Sequence, residues 1–433
     1  MDKLRIFGGQ ALSGRIQIAG AKNASLPLMA ASLLTDKNLI LRNLPRVADI
    51  ATMGKLLVEL GLEVSNEKRG FKGNDSARPL ASSSLVLNAK NLENVTASYD
   101  LVRKMRASVL VLGPLLARLG YARVSMPGGC AIGPRPIDLH VAGLERLGAR
   151  ISLKDGYIEA SAPKGLQGAV IELPLVSVGA TENLMMAATL ARGDTVILNA
   201  AREPEVVDLG ICLSTMGARL SGVGTNRVEI SGVGSLEGAE HTVVPDRIES
   251  GTYAIAAAIT GGAIDLLGAR LDLMHSVEES LAIAGVGLTA VKDGVRASRI
   301  KTEIHPLDVE THPYPGFPTD MQAQFMALMT LASGVSTIAE KIFENRFMHV
   351  NELARMGANI SIQGNKATVV GVRQLTGAPV MATDLRASVS LLLAGLAARG
   401  ETVVNRVYHL DRGYESVVEK LAACGATVER LTK

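Results

Sequence analysis

Residues 127–140 of this 433-residue chain read PGGCAIGPRPIDLH, and they hold the side chain best suited to covalent or proton chemistry, Cys130. Glycines and prolines at this density rule out a regular helix or a central strand and specify a shaped surface loop. A thiol in such a loop, with cations near it, has a lowered pKa and serves as proton donor or nucleophile. The alternative is a buried, inert thiol, the commoner fate of the residue type. That alternative suits Cys212 and Cys424, which lie in apolar helical patterns. Just beyond Cys130 come Arg135, Asp138 and His140, a forked cation, an acceptor and a two-way hydrogen bonder. Together they suit a phosphate and a nucleobase or sugar edge; singly each is an ordinary solvated side chain.

Other groupings sit where helices begin. Lys22 and Asn23, in AKNA, precede a buried-type helix, so backbone N–H groups, a helix dipole and an ammonium converge there on an anion, unless the pair is a plain Asn cap with an exposed Lys. Ser177 opens VGAT in the same way, facing a diphosphate or forming an ordinary capping turn. In FPTDMQAQ, Thr319 and Gln322 have capping-box spacing, with Asp320 in the first turn. Asp320 is either an acid suited to the dipole or the acceptor of a proton from a substrate hydroxyl. Arg346, Arg386 and Arg412 each stand at a loop-to-helix junction. A surface salt bridge explains any one of them, but three equivalent cations imply a shared polyanion.

The elements that must position these residues form a repeat. An apolar-periodic helix, a small-residue turn and a strand recur as LGLEV from Leu60, LGARI from Leu147, MGARL from Met216, AGVGL from Ala284, MGANI from Met356 and CGATV from Cys424. Each copy also holds an earlier helix, apolar nearly all round and therefore buried, such as those in ATENLMMAATLARGDTVIL from Ala180 and LRASVSLLLAGLAARGETVV from Leu385. The second helices, such as 48–60, keep one polar face and lie outside. One such α/β layer does not close a core alone, but three around their buried helices do. The expected fold is therefore α/β with two lobes of three repeated βαβαββ-type units each. A cleft between lobes then favours polar ligands, against the plainer reading of duplicated domains without chemistry.

Composition narrows the functions. With 45 Lys and Arg against 42 Asp and Glu, the balance gives no support for nucleic-acid or membrane-surface binding. Aromatic residues are 3% of the chain, too few for base-stacking platforms. The cysteines form no CxxC and the histidines no HExxH, so neither disulfides nor a metal is expected. The start, MDKLRIFGG, lacks the apolar run of a signal peptide, and stretches 107–119 and 388–398 are too short or broken to span a bilayer. The expected setting is a reducing cytoplasm.

On AKNA from Ala21, YDLVRKMRAS from Tyr99, the cysteine loop, SVGAT from Ser177, AAREPE from Ala200, FPTDMQAQF from Phe317, FENRFMHV from Phe343, ATDLRAS from Ala382 and DRGYE from Asp411, the chain resembles the enolpyruvyl transferases along nearly its full length. The cysteine loop is similar to the branch acting on a UDP-linked amino sugar; the sister branch acting on shikimate 3-phosphate lacks it. The resemblance implies a two-lobed inside-out α/β barrel, with 22–244 as one lobe, 1–21 plus 245–433 as the other, and the active site between them. It implies transfer of the carboxyvinyl group of phosphoenolpyruvate to the 3-hydroxyl of UDP-N-acetylglucosamine with release of phosphate, the first committed step of peptidoglycan synthesis, without cofactor or metal. Transfer to shikimate 3-phosphate and a silent UDP-sugar-binding paralogue are the rivals.

The resemblance also implies roles. Cys130 is the proton donor and the thiol that fosfomycin alkylates, and Asp320, Lys22 and Arg412 join it as catalytic groups. Lys22, Asn23, Arg135, Arg386 and Arg412 bind phosphoenolpyruvate. Asn23, Arg106, Arg135, Pro136, Ile137, Asp138, Leu139, His140, Ser177, Val178, Gly179, Asp320 and Ile342 bind the UDP-sugar. Ala48 and Leu175 depart from relatives that carry Lys there, and segment 65–96 is longer than in many relatives.

Overall fold

The computed structural model describes residues 2–66, 83–92, 94–127 and 137–432. Its described residues divide into two compact units, one running from Gly20 to Val244, the other joining the segment that ends at Ala19 to the segment that begins at Pro245. Each unit has its own apolar core.

Each unit contains three four-stranded sheets, and all six sheets follow one plan. Two strands run parallel; a third pairs antiparallel with the second, and a fourth with the third. In one sheet Val170–Glu172 runs parallel to Asp194–Leu198, which pairs antiparallel with Arg227–Ser231, itself antiparallel to Arg219–Ser221. The parallel step needs a crossover, and here it is the helix Val178–Ala188, whose residues from Ala180 onward are all buried. An outer helix, Pro204–Thr215, then leads to the antiparallel strands. Along Asp194–Leu198, Thr195 and Ile197 are buried while Asp194 faces water, the alternation of a sheet that covers helices with one face.

The six sequence endings have one physical cause. Gly61, Gly148, Gly217, Gly285, Gly357 and Gly425 all have φ between +88° and +100°, a region that costs other residues about 1–2 kcal/mol. Each donates its N–H to the carbonyl three residues back, and in five of the six the next residue donates five residues back, as Ala218 does to Leu213. This is the Schellman stop, which satisfies the last carbonyls of the outer helix. Glycine is needed for a second reason at Gly168 and Gly377, where a Cβ would lie 2.2 and 2.3 Å from the carbonyl oxygens of Asp194 and Glu401 on the neighbouring strand.

Three strands complete sheets whose other members are distant in sequence. Lys3–Phe7 lies between Glu401–Asn405 and Thr427–Leu431, pairing with both. Ser13–Gln17 runs parallel to Ala263–Leu267, and Ala239–Thr242 to Asn38–Leu44. Within the second unit, Ala19 donates to the carboxylate of Glu249 at 2.8 Å, and Lys420 donates to the same group at 2.6 Å. A buried acid thus ties the N-terminal segment to the last repeat. No helix among the described residues is long and apolar enough to cross a membrane.

Candidate active site

In the unit that holds both chain ends, Asp320, itself half-buried, is the centre of an ionic group with two buried arginines. It sits in the 3-10 turn Thr319–Met321, just before the buried helix Gln322–Met329. Arg346 donates Nη2–H to Oδ1 at 2.8 Å, and Arg386 donates Nη2–H to Oδ2 at 2.6 Å. Both guanidinium side chains are under a tenth exposed. Burial alone would raise the Asp320 pKa, but Arg386 and then Arg346 outweigh it and hold the carboxyl well below its usual range. Two cations against one anion leave the group positive.

Each member is fixed from behind. Arg386 is in the first turn of Leu385–Ala397, whose N-cap Asp384 accepts its backbone N–H at 2.8 Å. Its Nη1–H donates to the Tyr414 hydroxyl at 3.2 Å; Gln324 donates to the same oxygen at 3.3 Å, and Thr252 lies 2.9 Å from it. The Glu340 carboxylate clamps two loops together: Thr319 donates to Oε2 at 2.9 Å, while Thr311 and the N–H of Ile342 donate to Oε1 at 2.9 and 2.8 Å. The turn carrying Asp320 and the loop carrying Ile342 therefore share one anchor. Arg412 ends the 3-10 turn Val407–Arg412. There burial first, and Arg412 second, keep His409 below its ordinary pKa.

The capping box expected at Thr319 and Gln322 does not form. The α-helix begins only at Gln322, and the Thr319 hydroxyl is turned to Glu340 instead of a backbone N–H. The reason is energetic: a buried carboxylate needs donors more than an N–H that the 3-10 turn already accommodates. Nor do Arg346 and Arg386 make surface salt bridges, since both are buried on Asp320.

The other unit has its own polar cluster. Lys22 is the first residue of the helix Lys22–Ala31; Ala21, not Asn23, stands at the N-cap, without a side-chain cap. Lys22 Nζ is 3.3 Å from Asp49 Oδ2, and both side chains are mostly buried. Asn23 is next to it in the first turn and half-buried. Ser177 caps Val178–Ala188, accepting the Ala180 N–H at 3.3 Å, and leaves Val178 and Gly179 half-buried at the helix start. Ile137 precedes the helix Asp138–Arg146, with Asp138 exposed, Leu139 half-buried and His140 buried. Burial, then Arg106, lowers the His140 pKa to about 4, so the ring is neutral. Arg106 itself opens the 3-10 turn Arg106–Val111. Ala48 starts an outer helix and lines an open groove with Arg46 and Lys55, and Leu175 is exposed.

Cys130, Arg135 and Pro136 lie outside the described residues. Among the described residues no group of three His, Cys, Asp or Glu side chains is placed to hold a metal. Residues the sequence did not mark as candidates are Asp49, Glu340 and Glu182; Arg346, marked there as one of three junction cations, proves to be a direct partner of Asp320. Glu182 is a buried acid in an otherwise apolar helix, its pKa raised well above the ordinary value by burial and then by Glu205 and Glu203. An acid in ATENLMMAA was the available signal.

Six α/β layers of one plan and a carboxylate gripped by two buried arginines describe the fold and the site, and the comparisons assign them to a family. The EPSP synthase (3-phosphoshikimate 1-carboxyvinyltransferase) family profile matches residues 6–421, so the chain belongs to that family, the enolpyruvyl transferases. Within it, the chain is 60% identical to the UDP-N-acetylglucosamine 1-carboxyvinyltransferase of Rhodospirillum centenum over 100% of this chain and 99% of that one. The enzyme of the same name from Dinoroseobacter shibae is also 60% identical, with the same coverage. Among solved structures, the enolpyruvyl transferase NikO from Streptomyces tendae superposes with a TM-score of 0.87 at 25% identity, covering 100% of this chain and 99% of that one. EPSP synthase from Acinetobacter baumannii shares the fold, with a TM-score of 0.74 at 16% identity over 100% of both chains.

Proposed function

We propose that this chain transfers the carboxyvinyl group of phosphoenolpyruvate to the 3-hydroxyl of UDP-N-acetylglucosamine and releases phosphate, the step that commits the sugar to peptidoglycan. What supports the reading is identity of 57–60% over the whole chain to enzymes that share one name. Lys22, Asn23, Arg135, Arg386 and Arg412 neutralise the phosphate and carboxylate of phosphoenolpyruvate. Arg106, the 135–140 segment, Ser177 to Gly179 and Ile342 hold the nucleotide sugar.

Cys130 delivers a proton to the methylene carbon of phosphoenolpyruvate, leaving C2 electron-poor. The sugar oxygen bonds to C2 and its proton passes to Asp320, giving a tetrahedral intermediate that still bears phosphate. The Cys130 thiolate takes a proton back from the new methyl group while Asp320 gives its proton to the departing phosphate, which restores the double bond, now on the sugar, and both side chains. An aspartate gripped by two arginines is a weak base for an ordinary hydroxyl. It becomes adequate because the hydroxyl proton turns strongly acidic as the C–O bond forms, and because a substrate anion that takes a share of Arg386 loosens its hold on Asp320. Fixed cations aimed at the anions throughout supply electrostatic stabilisation that water would dilute. Fosfomycin, an electrophile, alkylates the Cys130 thiol. The free thiols of Cys212 and Cys424 fit a cytoplasmic setting.

The experiment is a phosphate-release assay with each acceptor. UDP-N-acetylglucosamine should support turnover and shikimate 3-phosphate should not; the reverse preference overturns the reading. Cys130→Ala should abolish turnover at neutral pH while UDP-sugar binding persists. Cys130→Asp, which keeps a transferable proton, should remain active and escape fosfomycin.

A further inference from the structure

Asn183 lies at the centre of Val178–Ala188, fully buried, and makes three side-chain hydrogen bonds. Its amide oxygen accepts the backbone N–H of Gly113 at 2.8 Å. A backbone N–H only donates, so the oxygen must be at that end of the amide and the NH2 at the other. There the NH2 donates to the carbonyl of Val109 at 3.1 Å, an atom that only accepts, which gives the same assignment independently. The remaining N–H meets Nδ1 of His140 at 3.0 Å. A donor at Nδ1 requires a lone pair there, which puts the ring proton on Nε2. Gly113 packs so tightly that a Cβ would lie 2.1 Å from the Asn183 oxygen, so the amide is held in place.

The other edge of the ring is turned to the start of the same helix. The point where Gly179 would carry a side chain is 3.4 Å from His140 Cε1 and 3.5 Å from Nε2. Nε2 has no hydrogen-bond partner among the described residues. Arg106 is the charged group acting on the ring, and with burial it keeps His140 uncharged at neutral pH.

We propose that Asn183 is a positioning residue that locks His140 in its Nε2–H tautomer, making His140 an obligate hydrogen-bond donor to an acceptor oxygen of the nucleotide sugar. The choice of ligand rests on the proposed function; the tautomer does not. A ring fixed in this way offers no lone pair at Nε2, so it cannot act there as a base or accept from an N–H.

Full-length protein labelled with 15N in its histidine rings, without ligand, tests the lock. His140 signals, assigned by their loss in His140→Gln, should show the Nε2–H pattern and should not titrate between pH 6 and 8. An Nδ1–H pattern, or a charged ring near neutrality, overturns the proposal. In Asn183→Asp the carboxylate can still accept from Gly113 but also draws a proton to Nδ1. The His140 signals should switch, and KM for UDP-N-acetylglucosamine should rise about tenfold while KM for phosphoenolpyruvate changes less than about twofold. An unchanged spectrum, or equal losses on both substrates, overturns it.

Should Asn183→Asp fail to fold, the donor is tested at His140 itself. His140→Leu should raise KM for the UDP-sugar about tenfold, and His140→Gln, which restores an N–H, should recover most of that loss. Glutamine no better than leucine defeats the donor role. A wild-type protein that binds no UDP-N-acetylglucosamine would overturn the functional reading and the donor role together, yet leave the tautomer spectrum as expected, so the two failures are separable.

Discussion

Asp320 holds together two guanidinium groups whose like charges would otherwise drive them apart. Removing one partner of a buried pair leaves an uncompensated charge, at about 3–5 kcal/mol. Asp320→Asn should therefore lower stability by that order and cut kcat at least a hundredfold, read by urea unfolding and phosphate release. The pH dependence has a definite sign. The folded pKa of Asp320 is depressed, so its contribution is fully present above the unfolded value of about 3.9 and is lost as pH falls through the lower folded value. The stability gap between wild type and Asp320→Asn should stay level from pH 8 to about 5 and shrink only in stronger acid. Glu182 behaves oppositely, because its folded pKa is raised by burial, Glu205 and Glu203. Its protonated form is favoured by folding, so stability is greatest below about pH 4.3 and declines as pH rises towards the folded pKa. Glu182→Gln, which mimics the neutral acid, should flatten that decline in urea midpoints measured across the range; a decline of wild-type steepness in the variant would refute a neutral Glu182.

At the scale of elements, the Schellman glycines and the strand-crossing glycines should fail differently. A Cβ at Gly217 would meet nothing within 4 Å, so Gly217→Ala is strained by φ alone and should cost about 1–2 kcal/mol. Gly377→Ala drives a methyl into the Glu401 carbonyl and should cost more, since backbone on both strands must shift. Equal losses in thermal unfolding would contradict this division. These elements were legible in sequence because each has a local cause: a left-handed stop demands glycine, and a buried crossover helix demands Ala, Leu and Met. The site was legible in part. Lys22, Ser177, Asp320 and Arg386 stand at helix starts, where free N–H groups mark positions for anions. Glu340 and Asn183 were not legible, because their roles depend on partners such as Thr311 and Gly113, 29 and 70 residues away. The capping box failed for the same reason: spacing reports neighbours along the chain, and Thr319 answers to Glu340 across space.

At the scale of the whole molecule, the N-terminal residues belong to the last repeat. Leu4 and Ile6 are fully buried between strands from the far end of the chain, with Lys3 opposite both Asn405 and Leu431. Deleting residues 2–18 should therefore disrupt the unit made by 245–432, through loss of two sheet strands, while leaving the 20–244 unit folded. Proteolysis with mass mapping would show which half survives; simultaneous loss of both would count against independent cores.

The pairing of Lys3–Phe7 with Thr427–Leu431 also sets an order of events at the ribosome. The unit ending at Val244 has all its strands once that residue emerges. Its companion must hold Lys3–Phe7 unpaired until Glu401–Asn405 and Thr427–Leu431 have been made, since chains acquire domains in the order they leave the exit tunnel. A nascent chain stalled before Glu401 leaves the ribosome should thus carry one protease-resistant half and one open half. Joining the two termini by a short linker and starting translation elsewhere would move that wait to another sheet.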